Sequence, residues 1–311
     1  MSEIYLVFVV FLFVLAVFDL MVGVSNDAVN FLNSAIGAKV AKFRTIIIVA
    51  AVGVFMGATM SNGMMEVARN GVFHPAMFSL KELMFIFLAV IISDVILLDI
   101  FNNLGLPTST TVSLVFELLG GTTAFVLLKL ANDTTGLTVG DLMNTEKALG
   151  MIMAIFVSVA IAFFFGIVLQ YISRLVFTFT YKKNLKWKIG IFGGVATTAI
   201  FYFMLFKGIK SMSFVTPEIY EYIQNHTLAI LGICFLASTA IMQFLYFLKV
   251  NVFKILVLMG TFALAMAFAG NDLVNFIGVP LAGLDSYNDF TANANGAAPT
   301  AYLMTSLMKS A

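Results

Sequence analysis

Charge is scarce in this chain. Of 311 residues only 11% are Asp, Glu, Lys or Arg, while 61% are hydrophobic, against roughly 25% charged in an ordinary water-soluble domain. A soluble protein of this length has no means of covering so much apolar surface. Cysteine is limited to Cys234, which excludes disulfides and cysteine-rich metal sites within one chain. The two histidines, His74 and His226, both fall between apolar runs, so there is no histidine cluster for a catalytic metal. Neither a P-loop nor a dinucleotide-binding glycine pattern is present, which leaves ATP-driven transport within this chain unsupported. With 17 basic and 16 acidic side chains the net charge is +1, so no global field calls for nucleic acid.

Long apolar runs are abundant. Eight of them, roughly residues 4 to 22, 45 to 60, 82 to 100, 109 to 131, 148 to 173, 188 to 206, 227 to 248 and 252 to 269, approach the length that crosses a bilayer as helix. The expectation is an all-α, polytopic membrane helical bundle forming one transmembrane domain over residues 1–311. A β-barrel would show short alternating strands instead. Cytoplasmic loops carry the excess of Lys and Arg, which places the cluster Arg174, Lys182, Lys183, Lys186 and Lys188 inside. Counting spans from there puts Lys39, Lys42, Arg44, Lys249 and Lys254 inside as well. Segments 132 to 147 and 211 to 226, and the N-terminus, then lie outside. The N-terminus lacks a basic region and a small-residue cleavage site, so it reads as a retained span in the plasma (inner) membrane rather than a signal peptide. The polar stretch from Tyr287 to Thr300 reads as a loop.

One polar motif occurs twice behind an apolar run. Asn26-Asp27-Ala28-Val29-Asn30-Phe31 returns as Asn271-Asp272-Leu273-Val274-Asn275-Phe276. An odd number of spans separates the two hosts, so the copies run in opposite directions, as inverted repeats do. The boundaries expected are repeat 1 over about 1–135, linking helices over about 136–250, and the start of repeat 2 over about 251–311. A carboxylate at membrane depth is costly and is kept for function; the alternative is that each aspartate caps a helix at the interface. Carboxylates and side-chain amides together form a hard oxygen set suited to an alkali cation.

A second constellation, Pro107-Thr108-Ser109-Thr110-Thr111, precedes another apolar run. Proline in a first turn with neighbouring hydroxyls marks a helix N-terminus. Its free N–H groups, dipole and hydroxyls suit an oxyanion; the alternative is hydroxyls bonded back to the preceding turn. This segment is where a discontinuous or re-entrant helix is expected. Asp19, Asp94, Asp99, Asn102, Asn103 and Glu117 are the other polar residues at membrane depth, open to roles as proton or cation sites or as bonds between helices. An enzyme would need a nucleophile and base in reach, and no such set lies at membrane depth. A non-transporting scaffold is the remaining class.

At these residues the sequence resembles the inorganic phosphate transporter (PiT) family, over residues 1 to about 285. Val24-Ser25-Asn26-Asp27-Ala28-Val29-Asn30 and Ala269-Gly270-Asn271-Asp272-Leu273-Val274-Asn275 are similar to its paired Gly-Ala-Asn-Asp-Val-Ala-Asn signatures. Pro107 to Thr111 is similar to its Pro-x-Ser-Thr-Thr-His element, and the stretch from Glu66 to Val72, with Arg69 and Gly71, to a further segment. The resemblance implies symport of inorganic phosphate with sodium or protons. It implies phosphate at Ser109, Thr110 and Thr111 with Asn26 and Asn271, and a cation, sodium included, at Asp27, Asn30, Asp272 and Asn275. It implies no cofactor beyond the coupling ion, and the partners are phosphate, that ion, the lipid bilayer and a second copy of the chain in a homo-oligomer. Sulfate or another tetrahedral oxyanion is the rival substrate, because hydroxyls and helix ends discriminate weakly between such anions. Val112 stands where the family has histidine, and an apolar residue near Val54 where it has glutamate. An equal offset would put the repeat-2 partner of Ser109 beyond Ala311, so a longer parent protein is expected.

Overall fold

The computed structural model describes residues 2–59, 72–132, 136–177, 185–208, 216–271 and 273–304. Among them run eleven α-helices: α1 (Ser2–Gly37), α2 (Phe43–Thr59), α3 (Leu80–Leu104), α4 (Thr110–Ala131), α5 (Val139–Leu142), α6 (Thr145–Phe177), α7 (Lys188–Gly208), α8 (Pro217–Asn225), α9 (Thr227–Phe247), α10 (Val252–Asn271) and α11 (Leu273–Asn293). Six apolar stretches, Glu3–Gly37, Leu80–Leu104, Thr110–Ala131, Thr145–Phe177, Thr227–Phe247 and Val252–Asn293, are long enough to cross a membrane, and Phe43–Thr59 and Lys188–Met204 are shorter. A helix satisfies its own backbone polar groups, which is why apolar runs fold this way in lipid. Side-chain burial agrees. The apolar window of α6 contains no buried residue, and Phe163, Phe164 and Leu169 stand open along it, a surface that only lipid solvates at low cost. The protein is an integral membrane protein.

The chain forms two compact units. The first comprises Met1–Val29, Asn62–Phe156 and Asn271–Ala311; the second comprises Asn30–Ser61 and Val157–Gly270. The first unit has its core in Leu12, Phe73, Phe78, Leu80, Leu83, Met84, Ile86, Phe87 and Leu118. Its helix α3 starts on a capping box, in which Ser79 N–H donates to Glu82 Oε2 (2.7 Å) and Glu82 N–H to Ser79 Oγ (3.4 Å). The same Glu82 pairs with Lys129 at the far end of α4, 3.1 Å away. Residues before α3 are clamped on both sides. His74 N–H donates to Leu142 O and Asn144 N–H to Val72 O, while Met304 N–H donates to Phe78 O. Helix α3 ends at Gly105 with φ 67, a left-handed turn that glycine adopts without strain, and four residues later Ser109 caps α4.

In the second unit close helix crossings are made by glycine. Gly53 and Gly57 of α2 lie against α10, where an added Cβ at Gly53 would come within 2.5 Å of Phe262 O and one at Gly57 would strike Met266 O. Gly190 and Gly194 of α7 approach Thr239 and Gln243 of α9 in the same manner. Both pairs are spaced four apart, the small-residue spacing that lets membrane helices touch backbones. Gly57→Leu is therefore expected to destabilise the protein by about 1–3 kcal/mol, because the obstacle is a backbone carbonyl that no rotamer change moves. Thermal unfolding in detergent checks this, with Gly37→Ala, which meets nothing within 4 Å, expected to match wild type.

Two boundaries differ from the sequence expectation. The motif at Asn26 does not interrupt helix, since α1 runs on to Gly37, so Asp27 is not a helix cap. The stretch from Tyr287 is helical as far as Asn293. Helix α4, at 22 residues, is long and apolar enough to cross a membrane.

Candidate functional site

Helices α1, α3, α4 and α11 of the first unit bring the two motifs to one loop. Asn26 is 4% exposed and uses all of its amide. Its Nδ2 donates to Asn102 Oδ1 (2.9 Å) and Leu106 O (3.0 Å), and its Oδ1 accepts from Thr108 N–H (2.8 Å). Asn102 Nδ2 in turn donates to Val22 O (2.9 Å). The turn from Leu106 to Thr108, which aims the N-terminus of α4, is thus fixed to α1 by an asparagine. On the other side Asn275 Nδ2 donates to Thr111 Oγ1 (2.9 Å). The ring of Phe276 occupies the space that a side chain at Gly23 would need, so α11 crosses α1 beside both motifs.

The hydroxyls of the element have separate duties. Ser109 is exposed and accepts from Val112 N–H (3.4 Å) as the cap of α4. Thr111 accepts from Asn275. Thr110 is 1% exposed, and its Oγ1 has no hydrogen-bond partner among the described residues; neither has Asn275 Oδ1. A buried polar atom left without a bond costs free energy unless something completes it. The first turn of α4 adds backbone N–H groups with no partner inside the helix and the positive end of its dipole. Asp27 is buried, adjacent to the residue that holds the loop. Asn30, one turn further along α1, is exposed and belongs to the second unit. Asn271 closes α10, while Asp272 and the stretch from Glu66 to Gly71 lie outside the described residues. The structure brings Asn26, Asn275, Thr108 and Thr111 together. Asn102, ranked with the secondary polar residues in the sequence, joins them through Asn26.

Amides, hydroxyls and a helix N-terminus can donate hydrogen bonds to an anion, and a buried carboxylate beside them supplies negative charge. The profile of the phosphate transporter family matches residues 23–308. The chain belongs to the phosphate transporter family. No curated protein matches it. Among solved structures it is similar to one titled "The sodium-dependent phosphate transporter", at 18% identity and a TM-score of 0.65, over 91% of this chain and 68% of that one. At that identity the likeness establishes a shared fold.

To dehydrate an anion, the described residues offer hydroxyls, amides and the backbone N–H groups of a helix start. Charge-assisted bonds to an oxyanion are roughly twice as strong as neutral ones, and dipolar N–H groups held in place supply part of what water supplied outside.

Proposed function

We propose that the protein is a secondary symporter that carries inorganic phosphate together with sodium or protons by alternating access, through oppositely oriented repeats. Phosphate sits at Ser109, Thr110 and Thr111, with Asn26; the cation sits at Asp27 and Asn275. The observation that carries this reading is the attachment of both Asn-Asp motifs to one hydroxyl loop, Asn26 to Thr108 and Asn275 to Thr111. A cation at the motifs then lies beside the anion at the loop, and each lowers the cost of dehydrating the other. The name of the similar structure couples sodium to phosphate in that protein, which supports sodium here. The basic loops support a plasma (inner) membrane orientation with the N-terminus outside.

Labelled phosphate uptake into proteoliposomes tests the proposal, with sodium and pH gradients imposed separately and sulfate as competitor. The expected result is uptake that rises with at least one gradient and resists sulfate. Phosphate accumulation indifferent to both gradients would replace symport by passive permeation, and strong sulfate competition would widen the substrate to tetrahedral oxyanions.

A further inference from the structure

A second polar cluster lies on three of the site's four helices, α1, α3 and α4, about two turns, or 10–12 Å at 1.5 Å per residue, from the residues that hold the loop. Asp94 of α3 is 3% exposed. Ser113 Oγ of α4 is 2.6 Å from Asp94 Oδ1 and 2.9 Å from Glu117 Oε1. A serine hydroxyl has one hydrogen to donate. It can satisfy one of these carboxyl oxygens, and the other contact then needs a proton on the carboxyl. From the third helix, α1, Asp19 lies close enough to Asp94 and Glu117 for their like charges to interact, and buried like charges at such range do not all ionise. Asp19 is 2% exposed, and its Oδ1 has no hydrogen-bond partner among the described residues.

Among the described residues no lysine or arginine forms an ion pair with these acids. The strongest interactions on these three acids come from one another and from Ser113. The remaining ionisable groups on the packed elements are Glu3, Tyr5 and Asp27 on α1, Lys81, Glu82 and Asp99 on α3, Lys129 on α4, and Asp285, Tyr287 and Asp289 on α11. Of the two lysines, Lys129 is held by Glu82 and Met77 O, and Lys81 sits in the first turn of α3, more than three turns from Asp94. Two buried carboxylates and a half-buried one, all ionised side by side, would cost several kcal/mol each. A proton shared within Asp94, Ser113 and Glu117 satisfies both short oxygen contacts at once.

We propose that Asp19, Asp94, Glu117 and Ser113 form a proton-binding site that carries a coupling proton in the phosphate cycle. This rests on the symport reading above. The proton adds to a carboxylate oxygen from one side of the membrane and leaves that oxygen toward the other; phosphate is chemically unchanged. Because α1, α3 and α4 hold both this cluster and the loop at Thr108 to Thr111, its protonation acts on the helices that carry the anion site.

Two measurements test it. The first is infrared spectroscopy of the purified protein at neutral pH, which does not depend on transport. The expected result is a protonated-carboxyl C=O band, shifted in heavy water and lost in Asp94→Asn or Asp19→Asn; the absence of such a band in wild type would overturn the site even if no variant folds. The second is phosphate uptake under a pH gradient at fixed sodium. Asp94→Asn, Asp19→Asn and Glu117→Gln are expected to lose the response to the pH gradient. A response equal to wild type in folded variants, or a changed half-saturating sodium concentration with the pH response intact, would overturn it. Wild-type protein that moves no phosphate under any gradient removes the symport reading, and with it the coupling role, while the infrared result still decides whether the proton site exists.

Discussion

Asp27→Asn is expected to reduce phosphate uptake into proteoliposomes by about a hundredfold or more, the effect of removing one partner from a buried charge pair, while the protein folds as before. Asp27 is 5% exposed and lies ten positions before the end of α1, where a capping role is excluded by the helix itself. On the symport reading proposed above, this carboxylate is kept at membrane depth to meet the coupling cation. Asparagine preserves its shape and one carbonyl oxygen but removes the charge that offsets a dehydrated cation. The half-saturating sodium or proton concentration is therefore expected to rise together with the loss of uptake. Thermal unfolding run beside the uptake assay separates this from misfolding. A folded variant with uptake within threefold of wild type would take Asp27 out of the cation site.

The helices legible in the sequence are those whose length the membrane sets. The runs at 82 to 100, 109 to 131 and 227 to 248 agree with α3, α4 and α9 to within a few residues at each end, since an apolar run long enough to span has one structural solution in lipid. Polar residues misled at two helix ends. Ser25 to Asn30 read as a break, yet side-chain polarity does not end a helix whose backbone bonds are intact. Helix α1 stops at Gly37, just before Lys39 adopts φ 49. The Asn- and Asp-containing end of α11 stays helical because Tyr302 Oη bonds Asp289 (3.0 Å) and Phe290 packs edge-on to Tyr302. Such tertiary contacts are invisible to a local pattern.

The candidate site divides in the same way. Its residue types were legible, because asparagine, aspartate and clustered hydroxyls are rare at membrane depth and each has a known use there. Their division of labour was not. Asn26 read as an anion ligand, and the structure shows it holding residues 76 and 80 positions away. No spacing rule reaches that far, and Asn102 had no local feature to separate it from Asn103.

That division of labour leads to the other large effect. Asn26→Ala is expected to destabilise the protein by about 1–3 kcal/mol and to abolish uptake. It leaves Thr108 N–H, Leu106 O and Asn102 Oδ1 without their bonds in a turn that is partly exposed, where water takes up part of the loss. The loss has a distinct signature, because Asn102 bonds both Asn26 and Val22 O. Asn102→Ala alone is expected to cost less, and the double variant less than the sum of the two, since the shared bond is removed once. Thermal unfolding of the four proteins gives the cycle, and phosphate binding by titration calorimetry gives the same cycle for the anion. If Asn26 is chiefly a phosphate ligand, the two residues add independently in stability and Asn102→Ala leaves binding intact. If Asn26 positions the turn, both variants weaken phosphate binding together, because the N-terminus of α4 loses the anchor that fixes where its hydroxyls and N–H groups meet the anion.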